Sequence, residues 1–134
     1  MAQRLAKQTY LLPDFLAARA PEWRPPHHEG RRVVLHGHCH HKAVFNMKAE
    51  RALLMQTGAE VEMLDSGCCG MAGPFGFERD KYEVSQTLGE RVLLPAVRAA
   101  ADEDIIVTDG FSCREQIAQG TSRRAVHVAE VLCD

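Results

Sequence analysis

The sequence has no excess of positive charge and no long apolar run, and its first residues do not predict a secretory leader. It carries 16 Lys and Arg against 18 Asp and Glu, a formal net charge of −2, which argues against bulk-charge attraction to nucleic acid. No apolar run approaches the roughly 20 residues that a membrane helix needs. The opening run MAQRLAK has no apolar core of the secretory type. We therefore expect a cytoplasmic protein that binds no nucleic acid, has no membrane span and reaches a membrane, if at all, only through a partner.

The sequence also lacks the phosphate-binding motifs of nucleotide-dependent enzymes. Glycines recur every three residues from Gly67 to Gly76, and glycine-rich loops can surround a phosphate. No Gly-Lys-Ser/Thr follows them, and their spacing is not Gly-x-Gly-x-x-Gly. The favoured interpretation is a loop that folds around some other group.

The apolar pattern predicts a small α/β domain after a helical N-terminal segment. We divide the 134 residues, the size of one domain, into a helical segment with a Pro-rich linker, residues 1–30, and an α/β domain, residues 31–134. In the second part, β-branched runs alternate with helical periods, which is typical of βαβ units. We predict a three-layer fold with a small parallel sheet of about four strands and βαβ crossovers. Strands are predicted at 32–36, 60–64, 104–108 and 125–128, and helices at 42–56, 80–101 (kinked or split near Pro95) and 113–119.

Four of the five cysteines follow predicted strands. Each time the order is strand, polar residue, glycine, cysteine and then a helix. Because parallel strands end at one edge of the sheet, where open α/β folds bind ligands, these loops are expected to converge. Cytosolic thiols are kept reduced, so metal or redox chemistry is favoured over a disulfide framework. The cysteines of these loops are Cys39, Cys68, Cys69 and Cys113, whereas Cys133 is expected to be a free thiol.

The residues alone leave several kinds of site open. The four cysteines could bind zinc as thiolates. Two of them could form a redox-active disulfide without metal. Alternatively, they could fill a core as small hydrophobic side chains. Cys68 and Cys69 are adjacent and cannot easily chelate one small ion together, which favours a bulkier multi-metal cluster. Gly67 and Gly70 would let their loop fold around such a group.

Histidines and aspartates surround the same loops. His38 and His41 are candidate ligands or hydrogen-bond donors to a ligand. The period-two geometry of strands makes His36 a core histidine instead. Asp65 and Asp109 end two of the predicted strands, and turn or helix-capping chemistry is the favoured interpretation for both.

Three segments of the chain resemble the cysteine-rich CCG domain. They are His38–His40, Asp65–Gly70 and Asp109–Cys113, and the resemblance covers about residues 31–132. This domain occurs in the B subunit of heterodisulfide reductase, the iron–sulfur subunit of glycolate oxidase and the C subunit of anaerobic glycerol-3-phosphate dehydrogenase. It also ends the FAD-linked oxidases that act on D-lactate or D-2-hydroxyglutarate, which this chain most resembles in its glycine-rich run and C-terminus.

The resemblance implies an iron–sulfur site, with cluster ligands at Cys39, Cys68, Cys69 and Cys113. The family pattern often ends in Cys-x-x-Cys, whereas Gln116 stands at the last position here. Four thiolates suffice for an ordinary [4Fe–4S] cubane, which zinc could replace on isolation, and His38 or His41 could complete the site. The domain occurs once here, without ferredoxin-type cysteine runs or an FAD-binding portion.

The function implied by the resemblance is electron transfer through an iron–sulfur or thiol site. The domain would take electrons from FAD on another domain or subunit, the flavoprotein partner in a 2-hydroxyacid oxidoreductase, and pass them to an acceptor. It would not be catalytically complete alone. The alternatives are a zinc-binding structural or interaction module and a metal-free thiol–disulfide redox domain.

Overall fold

The centre of the fold is a parallel sheet of three short strands. The computed structural model describes residues 1–133. Strand β1 spans Arg32–Leu35, β2 spans Glu60–Met63 and β3 spans Ile105–Val107. The strand β1 is central and pairs in parallel with both neighbours, in the order β2-β1-β3. This arrangement confirms the predicted α/β class and the parallel sheet.

Helices connect the strands, as parallel pairing requires. A 3₁₀ turn at Phe75–Phe77 lies between β2 and the next helix. Two helices lie between β1 and β2, and two more lie between β2 and β3. The helices of the described chain are α1 (Ala2–Gln8), α2 (Leu12–Arg19), α3 (Cys39–Val44), α4 (Lys48–Gln56), α5 (Tyr82–Gly89), α6 (Leu93–Ala99), α7 (Phe111–Gly120) and α8 (Val128–Val131).

Apolar clusters cover both faces of the sheet. Val33 and Leu35 of β1 belong to one cluster and Val34 to the other, because successive strand residues point to opposite faces. The first cluster includes Leu54 of α4, and the second includes Leu94 of α6. All five side chains are almost completely buried. The helices on the two faces give the three layers that the sequence predicts.

Two predicted helices are each divided in the structure. The predicted helix 42–56 becomes α3 and α4, because Asn46 adopts a positive φ of 58°, which a right-handed helix cannot accommodate. The Asn46 Oδ1 atom accepts the amide of Lys48, the first residue of α4, at 2.9 Å. The predicted helix 80–101 divides between Gly89 and Leu93, close to Pro95 as predicted. Pro95 lies in the first turn of α6, where a missing amide proton breaks no helical bond.

The predicted fourth strand is reduced to a single parallel bridge. Val126 bridges to Val107, with the Val126 amide donating to the Ile106 carbonyl at 2.8 Å. The chain then enters α8, whose first turn is capped by the His127 side chain. The early start of this helix ends the strand pairing, so the sheet has three strands instead of about four.

The N-terminal segment forms two helices, α1 and α2. Pro13 lies in the first turn of α2, and Leu16 of the same helix packs against the cluster formed by Val33 and Leu35. The division into residues 1–30 and 31–134 stays a prediction. None of the helices in the described chain has the length and apolarity to cross a bilayer.

Candidate functional site

Three loops at the carboxyl edge of the sheet bring the predicted cysteines together. Cys39 is the first residue of α3, and Cys113 is the third residue of α7. Residues 68–70 form a Cys-Cys-Gly loop after β2, and the chain stays outside any helix until the 3₁₀ turn. The helix that follows this loop is α5, which begins at Tyr82, close to the predicted position 80. The Gly70 amide donates a hydrogen bond to Cys68 Sγ at 3.4 Å.

The four cysteines lie close enough to shift one another's pKa values. Cys39 and Cys69 both affect the pKa of Cys68. Cys68 and Cys113 both affect the pKa of Cys69, and Cys39 and Cys69 both raise the pKa of Cys113. Within residues 1–133, no three of these sulfurs all lie within 4.8 Å of one another. Thiolates around one zinc ion lie about 3.8 Å apart, so this spread suits a larger group. Cys133, by contrast, is an exposed free thiol.

Cys69 and Cys113 hold their protons unequally. The Cys113 thiol donates a hydrogen bond to the Cys69 sulfur, which lowers the pKa of Cys69 to about 6 against the opposing effect of burial. The same hydrogen bond, together with burial, raises the pKa of Cys113. Burial also raises the pKa of Cys68. At neutral pH the metal-free site therefore has a thiolate at Cys69, and a bound metal would have to displace the protons of Cys68 and Cys113.

Glycine is required at two positions in these loops. Gly70 has a φ of +95°, and a Cβ there would lie 2.1 Å from the Ser85 carbonyl oxygen. A Cβ at Gly110 would lie 2.9 Å from Cys113 Sγ. Glycine has no Cβ, so it lets the main chain at these two positions lie close to the Ser85 carbonyl and the Cys113 sulfur. Gly67 has open space around it, and its contact with a bound group stays a prediction.

Gln116 holds the Cys-Cys-Gly loop and was not found by sequence reasoning. Its side chain is fully buried, and its Nε2 donates to the Cys69 carbonyl at 2.8 Å and the Ser85 carbonyl at 3.2 Å. Gln86 Nε2 donates to Gln116 Oε1 at 3.3 Å. The available signal was its spacing, because a residue three positions after Cys113 in a helix lies on the same face.

A buried histidine and a lysine hold the segment that enters the Cys-Cys-Gly loop. His36 Nδ1 and Ser66 Oγ are 2.6 Å apart, and Lys42 Nζ donates to the Ser66 carbonyl. His36 is 1% exposed, which confirms the prediction of a core histidine. Burial, reinforced by Lys42, lowers its pKa to about 4. His36 is therefore neutral at neutral pH and acts here through its hydrogen bond.

The two candidate histidine ligands lie in different surroundings. His38 is half-buried, and burial together with His40 and His41 lowers its pKa. His41 is buried, and its Nδ1 lies 3.4 Å from Glu50 Oε2. One ligand atom each of His41, Glu50 and Asp109 lie within 4.8 Å of one another. The structure thus brings His41 to two carboxylates, while the role of either histidine at the cysteine site stays a prediction.

Glu50 is a second buried group that the sequence did not reveal. It is 1% exposed, and no hydrogen bond from residues 1–133 reaches either of its carboxylate oxygens. Burial, and then the neighbouring charge of Asp109, raises the pKa of Glu50 to about 8. A glutamate in an amphipathic helix usually faces solvent, so the pattern of α4 gave no signal for it.

Cysteines on three strand ends, meeting at one edge of a parallel sheet, define a cysteine-rich α/β domain suited to metal or redox chemistry. The family described as CCG, cysteine-rich domain, matches residues 33–118, and the chain belongs to this family. No solved structure matches the chain significantly.

Curated relatives of the chain are larger dehydrogenases and their subunits. The C subunit of anaerobic glycerol-3-phosphate dehydrogenase from Escherichia coli is 35% identical over 102 residues, which are 75% of this chain and 25% of that protein. D-2-hydroxyglutarate dehydrogenase of Pseudomonas putida is 31% identical over 127 residues, which are 91% of this chain and 12% of that protein. The chain thus spans a quarter or less of these two relatives.

Proposed function

We propose that the chain is an iron–sulfur electron-transfer domain of a larger oxidoreductase, with Cys39, Cys68, Cys69 and Cys113 as ligands of a [4Fe–4S] cluster. The observation that carries the proposal is the meeting of these side chains, from three separate loops, at one edge of the sheet. When bound, an iron–sulfur cluster accepts and releases electrons at a potential that its surroundings set.

The side chains and main chain fit such a group in several respects. The spread of the sulfurs suits a cluster better than a single ion. Cys69 already has a low pKa, and Cys68 and Cys113 lie next to it. The Gly70 amide donates to a sulfur, and amide hydrogen bonds to ligand sulfurs tune cluster potentials. Gly110 lets the main chain approach Cys113 closely. In this proposal the protein binds the cluster, orients its ligands and supplies hydrogen bonds to them.

The proposal places substrate oxidation on another domain or subunit, a flavoprotein that carries FAD. The relatives are named for dehydrogenase activities, one of them on D-2-hydroxyglutarate, which supports a 2-hydroxyacid as the substrate of the whole assembly. The chain spans only a small part of those proteins, which supports a partner for it. All five cysteines are free, as is usual in a reducing cytoplasm.

A second candidate function is metal-free dithiol chemistry at Cys69 and Cys113. The specific observation in its favour is the lowered pKa of Cys69, whose sulfur accepts a hydrogen bond from the Cys113 thiol. Thiolates are the reactive form in disulfide exchange. Joining the two sulfurs would release two electrons and the Cys113 proton to an acceptor such as an oxidised flavin. This reaction needs no metal, so the same purification tests both candidates.

The test is anaerobic purification followed by measurement of iron, acid-labile sulfide and zinc per chain, with a visible spectrum. We expect iron and sulfide in equal amounts, after reconstitution if needed, and visible absorbance that bleaches on reduction. Cys68→Ser and Cys113→Ser should each abolish the bound iron and sulfide and the visible absorbance. Cys133→Ser is the matched control, because that thiol is exposed, and it should leave the iron content unchanged.

Other results would contradict the cluster. About one zinc per chain, with no colour after reconstitution, would identify a structural-metal module, because zinc has no redox chemistry. A metal-free chain that loses two thiols on mild oxidation, and loses none when Cys69→Ser is oxidised in the same way, would identify the dithiol instead.

A further inference from the structure

We propose that His41, Glu50 and Asp109 form a second metal site, beside the cysteines, for a divalent transition-metal ion. One ligand atom of each side chain lies within 4.8 Å of the others. His41 Nδ1 and Glu50 Oε2 are 3.4 Å apart, about the separation of two neighbouring ligands around a tetrahedral zinc ion with bonds of about 2.0–2.1 Å. These two atoms therefore already have the spacing of two neighbouring metal ligands.

The burial of Glu50 is the observation that points to a cation. Its side chain is completely buried, yet no hydrogen bond from residues 1–133 reaches its oxygens. Buried polar groups are almost always hydrogen-bonded, and an exception requires an explanation such as an ion. Asp109 adds a second carboxylate at the same place, and two neighbouring carboxylates repel each other when both are ionised. A divalent cation between them would remove the repulsion and give the Glu50 oxygens a partner.

Asp109 is held in the orientation that the site needs. Its Oδ1 accepts the Val128 amide at 2.9 Å, and its Oδ2 lies 3.4 Å from His127 Nε2. His127 Nδ1 accepts the Ala129 amide at 3.0 Å, so a neutral His127 ring carries its proton on the nitrogen that faces Asp109. Hydrogen bonds of this kind fix ligating carboxylates and support metal affinity. His127 is thus a positioning residue for Asp109.

The ligand set differs in chemistry from the cysteine site. One imidazole nitrogen with two carboxylates suits ions such as Mn²⁺, Fe²⁺ or Zn²⁺, whereas thiolates select zinc and iron–sulfur clusters. His41 and Asp109 also line an open cleft of about 750 Å³, which gives an ion a path from solvent. Because Mn²⁺ favours oxygen ligands over thiolates, it can report on this site alone.

An ion at this site would join three elements near the cysteines. His41 lies in α3 two residues after Cys39, and Asp109 precedes Cys113 by four residues in the loop after β3. Glu50 lies in α4, so an ion bound by all three residues would also connect α4 to His41 and Asp109. Occupancy would therefore fix two of the three cysteine loops relative to each other, without touching a sulfur.

The test is a Mn²⁺ titration of the reduced, metal-free chain, with free Mn²⁺ followed by electron paramagnetic resonance. We expect about one Mn²⁺ per chain and a rise in melting temperature on binding. Glu50→Gln and Asp109→Asn should each weaken binding by tenfold or more. Glu83→Gln, an exposed carboxylate of α5, and Cys68→Ser should bind as the unchanged chain does. Circular dichroism establishes that each variant is folded.

Three results would overturn the proposal. Absence of Mn²⁺ binding to the unchanged chain would leave His41 and Glu50 as a buried pair only. Undiminished binding by both Glu50→Gln and Asp109→Asn would place the ion elsewhere. Equal loss in Cys68→Ser and Glu50→Gln would place it at the cysteines. None of these results bears on the iron content that tests the cluster.

Discussion

Replacing Gln116 with leucine should release the Cys-Cys-Gly loop while leaving the core filled. Leucine is similar in size but cannot donate to the Cys69 carbonyl, which receives the glutamine amide at 2.8 Å. A buried acceptor that loses its partner costs about 1–3 kcal/mol. The longer bond to the Ser85 carbonyl, at 3.2 Å, adds up to about 1 kcal/mol, and the extra apolar burial of leucine offsets part of this loss. We expect the free energy of unfolding to fall by about 2 kcal/mol.

The assay is urea unfolding of the metal-free, reduced chain at pH 7, followed by circular dichroism. Gln86→Leu is the matched control. Gln86 is half-buried and makes one longer hydrogen bond, at 3.3 Å, to Gln116, so its loss should cost less than about 1 kcal/mol. The second readout is iron per chain after reconstitution, which we expect to drop for Gln116→Leu and not for Gln86→Leu.

The reasoning fails if Gln116→Leu unfolds at the same urea concentration as the unchanged chain. That result would mean that the Cys69 carbonyl needs no buried donor. Equal destabilisation by Gln116→Leu and Gln86→Leu would be equally damaging, because it would assign the effect to the contact between the two glutamines and not to the loop.

Three further predictions follow from single residues. Gly70→Ala should lower the free energy of unfolding by more than about 3 kcal/mol. The reason is that its positive φ and the nearby Ser85 carbonyl of α5 leave no room for a Cβ. Gly67→Ala is the control and should cost little, because Gly67 has open space around it. Burial lowers the pKa of His36 to about 4 from its usual 6.5, so this residue binds more protons in the unfolded chain between these values, and its contribution to stability should rise from pH 4 to pH 6.5. The raised pKa of Glu50 acts in the opposite direction over much of this range. In urea unfolding, the stability of the unchanged chain relative to His36→Gln should therefore rise from pH 4 to pH 6.5, whereas its stability relative to a variant of the exposed His27 should not. Asn46→Ala should cost about 1 kcal/mol because of its left-handed backbone, and Asn46→Gly should restore most of this loss in the same assay.

The parts of the fold that the sequence predicts are those with a strong local pattern. The short apolar runs of β1 and β3, with their β-branched residues, are typical of buried strands. The largely exposed β2 alternates polar and apolar residues instead, and the order of the three strands with the helices predicts a parallel sheet. The breaks in the helices were harder to predict. Asn46 can adopt a left-handed conformation, but nothing in its neighbours requires it, and the last strand ends early only because His127 caps α8.

The candidate site also has a part that the sequence predicts and a part that it does not. The convergence of the cysteines follows from topology, so it could be predicted without coordinates. Glu50 and Gln116 could not, because polar residues in amphipathic helices are usually exposed. Their burial depends on which face of α4 and α7 meets the cysteine loops, and this is fixed by tertiary packing and not by local sequence.

Gln116 occupies the position at which the family pattern often has its last cysteine. It stands three residues after Cys113. Its amide group is buried and donates to the main chain of Cys69, so the position holds the loop in place of offering a ligand. A thiol there could not make this bond with comparable strength, because the S–H group is a weak donor. Glutamine at this position therefore supports the Cys-Cys-Gly loop where a cysteine would offer a further thiol, which fits the four-thiolate set of the proposed cluster.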